Sequence, residues 1–223
     1  MTGRYCVVIP AFEAAETIGE LVRQAKAHRL PVIVVDDGSK DRTAAVASAQ
    51  GAVVISHLKN QGKGCALRTG FEYALRERYE GIVTLDSDGQ HDPSEIPQLI
   101  RAGEVQHAGL VLGNRMSNGH VMPDNRRATN RLMSRMISAV ARQPIPDTQC
   151  GFRFIRRELL EQVPLRSTRY EIESELVLRA AARKWKIISV PVKAIYEQHR
   201  SHIRPLRDGI RFLALLARHL VWR

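Results

Sequence analysis

The chain has 223 residues, enough to bury the core of one large α/β domain without requiring a second. Its 34 Lys and Arg against 23 Asp and Glu give a formal net charge of +11, which calls for an anionic partner: a nucleotide, a nucleic acid or an anionic membrane surface. Cys6, Cys65 and Cys150 lie far apart with no C-x-x-C spacing, which argues against a disulfide framework or a zinc site and for a reduced cytosolic setting; no signal peptide precedes the first strand, and no stretch reaches the ~18 apolar residues of a membrane span.

Tyr5 to Ile9 reads as a buried strand closed by Pro10, and Glu13 to His28 follows as a helix with Ile18, Leu21, Val22 and Ala25 on one face. The β-branched run Val32 to Val35 leads into Asp36-Asp37-Gly38-Ser39 and a helix from about Asp41 to Ala49, capped by Asp41 or Ser39. Val53 to Ser56 makes a third strand, and the glycine-rich Asn60-Gln61-Gly62-Lys63-Gly64 opens a helix from about Cys65 to Arg78. Strands alternating with helices of this length predict a parallel sheet wound with right-handed crossovers.

The pattern centres on residues 81–92. Ile82, Val83 and Leu85 form a short apolar strand that ends in Asp86-Ser87-Asp88-Gly89-Gln90, at the carboxyl edge where open α/β sheets bind ligands. Asp86 and Asp88 can share one polyphosphate-bound cation, Mg²⁺ or Mn²⁺, with Gln90 as a neutral third oxygen donor. An Asp- and Gly-rich surface turn reads the same way in isolation, so the context has to decide.

A helix from about Ser94 to Ala102 and a strand from Leu110 to Gly113 come next, then Asn114-Arg115. Residues 115–142 carry six arginines against one acid, Asp124, while Leu132, Met133, Met136, Ile137 and Val140 share a face. Such a helix can lie in a lipid interface or cover the core with a solvated basic back. Asp147 to Ile155 reads as a polar loop entering a strand, Arg156 to Val163 as a short helix, and Tyr170 to Lys184 as a longer one with Glu171, Glu173 and Glu175 crowding its first turns. Ile187 to Val192 is a further strand. From His199 to Arg223 the chain is basic again, with an apolar stripe of Ile210, Phe212, Leu213, Leu216, Leu220 and Val221.

The polar loops after successive strands form an ordered set: Pro10-Ala11-Phe12-Glu13, Asp36 to Ser39, Asn60 to Gly64, Asp86 to Gln90, Gly113-Asn114-Arg115 and Asp147 to Phe152. The set resembles family 2 glycosyltransferases with the GT-A fold, and within them the branch that acts on polyprenyl phosphates; the match covers about residues 5 to 200. The resemblance implies one Rossmann-like GT-A domain over residues 1–223: a nucleotide-sugar half to about 115, then an acceptor-binding, membrane-facing half with amphipathic interfacial helices. It implies that Pro10, Ala11 and Glu13 surround base and ribose, that Val35 and Asp37 make a second nucleotide contact, and that Lys63, Asp86, Ser87 and Asp88 face the donor. Asp86, Asp88 and Gln90 would hold the metal. Arg115, Arg126 with Asn130, or Arg127 with Arg131 one residue along, and Arg200 would bind the acceptor phosphate. Asp88, Arg115 and Arg200 would form the catalytic group, with Asp147, Gln149 and Glu173 near acceptor or sugar.

The implied reaction is inverting, metal-dependent transfer from a GDP-mannose or UDP-glucose type donor to dolichyl or undecaprenyl phosphate at the cytosolic membrane face. Contact with the membrane is then peripheral or through a separate membrane protein. A lipid phosphate is largely dianionic at neutral pH and needs cations rather than a base. A hydroxyl acceptor would need a carboxylate base, for which Asp147 is the candidate. A nucleic-acid-binding module fits less well, because aromatics make up 5% of the chain and the acids cluster at strand ends.

Overall fold

The computed structural model describes residues 4–117, 124–195, 211, 212 and 214–218, with the side chains of 124–126 outside that description. Among the described residues, seven strands make one sheet: β1 (Tyr5–Ala11), β2 (Val32–Asp36), β3 (Val53–Ser56), β4 (Gly81–Thr84), β5 (Leu110–Asn114), β6 (Arg153–Arg156) and β7 (Ile187–Pro191). Their spatial order is β3-β2-β1-β4-β6-β5-β7, and every pairing is parallel except those of β6 with β4 and β5. β1 and β2 are buried along their whole length, as expected of parallel strands covered on both faces. Strand β1 continues through Pro10 to Ala11, beyond the predicted end at Ile9.

Helices α1 (Ile18–Lys26), α2 (Thr43–Ala49) and α4 (Ile96–Val105) supply Ile18, Leu21, Val22, Ala47, Ile96 and Leu99 to the core on one face. On the other face lie α3 (Lys63–Arg76), α5 (Asp124–Ala141), α6 (Arg157–Gln162) and α7 (Glu171–Ala182). The antiparallel strand β6 fits because two glycines make room for it. A Cβ at Gly81 or Gly103 would lie 2.5 or 2.4 Å from the ring of Phe154, which also meets Tyr5 edge-on at 5.7 Å between centroids.

Of the two stretches read as interfacial helices, α5 packs largely into the protein, and so do the described residues Phe212, Leu215 and Leu216 of the second. On α5, Ile137 is fully buried and Met133, Met136 and Val140 press on the core, whereas Leu132 is 60% exposed. Phe212 and Leu216 are buried in the same cluster, joined by Leu215, which the predicted stripe did not include. Apolar side chains at this spacing bury about 1.5–3 kcal/mol each against protein, which settles the orientation of those faces. Ile210, Leu213, Leu220 and Val221 fall outside the described residues.

Candidate active site at the carboxyl edge of the sheet

β1 has β2 on one side and β4 on the other, so the strand order reverses between β1 and β4 and opens a crevice beyond their carboxyl ends. The loops after β1, β2, β3, β4 and β5 all leave from this edge. So does the loop entering β6, because that strand runs the opposite way.

Asp86 lies just beyond β4 with its carboxylate against Gly151, where a Cβ would come within 2.4 Å of both oxygens. Its Oδ1 accepts the Lys63 ammonium at 2.6 Å, and Oδ2 stands 3.6 Å from His91 Nε2. Burial pushes the Asp86 carboxyl upward, but Lys63 and His91 outweigh it and hold it below the usual carboxylate range. Lys63 also reaches Glu173 Oε1 at 2.5 Å. Burial lowers its ammonium pKa, yet the two carboxylates raise it well above the ordinary lysine value.

The turn beyond is rigidly tied. Gly89 takes φ +74°, Ser87 O accepts the Thr17 hydroxyl, Asp88 Oδ1 accepts the Gln90 N–H at 3.0 Å, and Gln90 O accepts Ile195 N–H. Asp88 is half-buried, and its Oδ2 has no partner among the described residues. No group of three His, Cys, Asp or Glu side chains capable of caging a metal occurs among the described residues. A hard cation that keeps substrate phosphates and water needs only one or two protein carboxylates, so the donor set of Asp88, Asp86 and Gln90 fits Mg²⁺ or Mn²⁺.

The nucleotide half divides into exposed and sealed groups. Glu13 is exposed at φ +50°, with its N–H on Ser39 Oγ at 2.9 Å. Pro10, Ala11 and Val35 sit inside the sheet, Pro10 opposite Val35, with their side chains buried. Asp36 Oδ1 accepts Ser39 N–H, a turn-forming role. Asp37 is 3% exposed, and its oxygens accept Gln61 N–H, Gly62 N–H and a ring nitrogen of His57.

On the acceptor side, Arg115 grips Asp147 with Nε at 2.8 Å and Nη2 at 3.1 Å, and its backbone N–H adds a third bond at 3.2 Å. Asp147 is fully buried. Burial raises its carboxyl pKa, but the guanidinium prevails and holds it below the usual range. A carboxylate held in this way is a poor general base, which corrects the assignment of Asp147 to proton abstraction. Gln149 bonds Thr148 and Ser174, and Asn130 is half-buried while Arg131 is exposed. Arg200 and the side chain of Arg126 lie outside the described residues.

Arg153 was not foreseen. It is buried in β6 between Phe152 and Phe154, donates to Cys150 O, Thr148 O and Glu173 O at 2.7–2.8 Å, and stands 3.7 Å from Glu173 Oε2. One arginine thereby joins the 147–151 loop to the start of α7 and, through Glu173, to Lys63. Its sequence signal was a single charge inside an apolar strand. His57 and His91 were likewise passed over; His91 Nδ1 is buried without a hydrogen-bond partner among the described residues, and its ring packs on Phe152 at 5.4 Å.

The mainly parallel sheet with its antiparallel β6 is the fold of solved GT-A glycosyltransferases. Glucosyl-3-phosphoglycerate synthase from Mycobacterium tuberculosis, in complex with Mn²⁺, uridine diphosphate and phosphoglyceric acid, superposes with a TM-score of 0.77 at 23% identity over 98% of this chain and 78% of that one. The chain belongs to glycosyl transferase family 2, whose family model matches residues 6–163. It is 30% identical to a UDP-N-acetylglucosamine--dolichyl-phosphate N-acetylglucosaminyltransferase of Methanococcus voltae, over 86% of each chain. It is also 30% identical to a polyprenol monophosphomannose synthase of Mycolicibacterium smegmatis, over 86% of this chain and 77% of the relative. The chain is accordingly a glycosyltransferase of this family.

Proposed function

We propose that the protein transfers one sugar from a nucleoside-diphosphate sugar to a polyprenyl phosphate, with inversion and with a divalent cation, at a membrane surface that it contacts peripherally. The observation that carries the acceptor class is the bidentate Arg115–Asp147 pair: the carboxylate named as the candidate base is buried and neutralised by the arginine beside it. A phosphate nucleophile brings its own charge and needs no such base.

In this reading Asp88, with Asp86 and Gln90, holds the cation, which when bound offsets the charge developing on the departing diphosphate. Lys63, presented by the glycine-rich loop, binds the donor phosphates from the other side. Glu13 and the backbone edge at Pro10, Ala11 and Val35 bound the nucleoside, Asp37 holds the neighbouring loop from behind, and Ser87 lies beside the diphosphate. Arg115, Arg131, Asn130, Arg126 and Arg200 orient the acceptor phosphate and hold it against the repulsion of the donor. Asp147 fixes Arg115, and Gln149 and Glu173 shape the sugar side.

The test is transfer of radiolabelled sugar from GDP-mannose, UDP-glucose and UDP-N-acetylglucosamine to undecaprenyl phosphate in detergent, with Mn²⁺ and with EDTA. Label in the lipid fraction that EDTA abolishes supports the reading. The solved neighbour binds phosphoglyceric acid, so 3-phosphoglycerate belongs in the same panel as the second reading. Label appearing only there would replace the lipid by a small soluble acceptor.

A further inference from the structure

His57 stands at the end of β3 with its side chain 9% exposed, and all three of its polar groups are bonded. Its backbone N–H donates to Asp36 O at 2.9 Å, its Nδ1 lies 2.7 Å from Asp37 Oδ1, and its Nε2 lies 3.0 Å from Thr69 Oγ1 on α3. A carboxylate is acceptor-only, so Nδ1 carries the hydrogen and donates to Asp37, while Nε2 pairs with the Thr69 hydroxyl. Asp37 uses the rest of its carboxylate on the loop that ends at Lys63: Oδ1 takes Gln61 N–H at 2.9 Å and Oδ2 takes Gly62 N–H at 2.7 Å.

The backbones on either side leave no slack. Gly38, at φ +75°, abuts the Lys59–Asn60 peptide so closely that a Cβ would fall 2.5 Å from Lys59 C. Gly62, at φ +101°, abuts Thr168 O in the same way, and Cys65 N–H donates to that oxygen. The loop is fixed on both flanks, and the orientation of Asp37 sets where Gly62, and hence Lys63, is presented.

We infer that His57 is a positioning residue for the donor: acting through Asp37, which holds the Gln61 and Gly62 N–H groups, it presets Lys63 for the donor diphosphate. It touches neither donor nor acceptor. The inference rests on the donor site proposed above and adds that donor affinity is set from behind the loop, along Thr69, His57 and Asp37. Losing one charge-assisted bond of this kind corresponds to a change of roughly tenfold in affinity.

The test compares His57→Asn, whose amide nitrogen stands in for Nδ1, with His57→Gln, whose longer side chain places its amide near Nε2. Binding of UDP and of GDP, each with Mn²⁺, is measured by titration calorimetry, and KM and kcat are measured for the donor that the wild type turns over. His57→Asn is expected to stay within about threefold of wild type, whereas His57→Gln raises Kd and KM roughly tenfold with kcat little changed. Equal behaviour of the two variants, or a loss confined to kcat, overturns the inference. Should His57→Gln fail to fold, Thr69→Val replaces it: a KM raised about threefold is expected, and an unchanged KM overturns the inference. Failure of the wild type to bind either diphosphate overturns the donor-site reading itself, a result distinct from equal binding by wild type and both variants.

Discussion

Lys63 Nζ lies 2.6 Å from Asp86 Oδ1, so the ammonium of the glycine-rich loop is paired with the first carboxylate beyond β4. The same ammonium is 2.5 Å from Glu173, which makes one lysine the counter-charge of two partly buried acids from separate elements. Lys63→Met should destabilise the fold by about 2 kcal/mol, less than the ~3–5 of a fully buried pair because the groups keep some water. Adding Glu173→Gln should recover part of that loss, since one of the stranded charges is removed. Urea unfolding of the two single variants and the double variant measures this, and strictly additive losses would contradict the shared ammonium.

Gly151 is where the loop entering β6 meets the Asp86 carboxylate. Gly151→Ala places a methyl group 2.4 Å from both Asp86 oxygens, so either the carboxylate or the loop must shift. A loss of about 1–3 kcal/mol in stability is expected, together with at least tenfold weaker Mn²⁺ binding in the presence of UDP. Wild-type Mn²⁺ affinity in this variant would show that Asp86 does not help to hold the cation.

The Arg115–Asp147 pair gives stability a defined pH dependence. The Asp147 carboxyl is held lower in the folded protein than in the unfolded chain, where it titrates near ~3.9. Its contribution is therefore complete above that value and is lost as pH falls through the folded pKa. Asp147→Asn should cost about 3 kcal/mol at pH 7, because the largely buried Arg115 guanidinium loses its bidentate carboxylate, and should flatten the acid side of the stability profile. An unchanged acid limb in the variant would place the relevant titration elsewhere.

Cysteine chemistry should separate the three thiols. Cys6 and Cys150 are buried; burial pushes the Cys6 thiol far up and the Cys150 thiol up to about 12, whereas Cys65 is half-buried beside the glycine-rich loop. Iodoacetamide at pH 7.5 should label Cys65 alone in the native protein and all three in urea, as read by peptide mass spectrometry. Native labelling of Cys150 would show that the loop entering β6 opens.

The elements were legible where burial repeats with a period. The all-buried strands β1 and β2 and the periodic helix α1 appear in the sequence as apolar runs and stripes, and the polar loops between them fall in the order that the topology gathers at one edge. What stayed hidden depends on long-range pairing. Nothing near Arg153 announces that its partners are Thr148 and Glu173, and nothing beside His57 points to Asp37, twenty residues earlier in the chain. The antiparallel turn of β6 between β4 and β5 was invisible for the same reason. The apolar faces of α5 and of residues 212–216 showed their amphipathicity in the sequence but not which surface would cover them.

The central claim is a cation-assisted donor site at Asp88. Calorimetric titration of UDP and GDP into wild type and Asp88→Ala, each with Mn²⁺ and with EDTA, tests it most directly. Micromolar binding of at least one diphosphate that weakens at least tenfold both in EDTA and in Asp88→Ala is the predicted result. Binding of equal strength with and without metal, unaffected by the substitution, would contradict it.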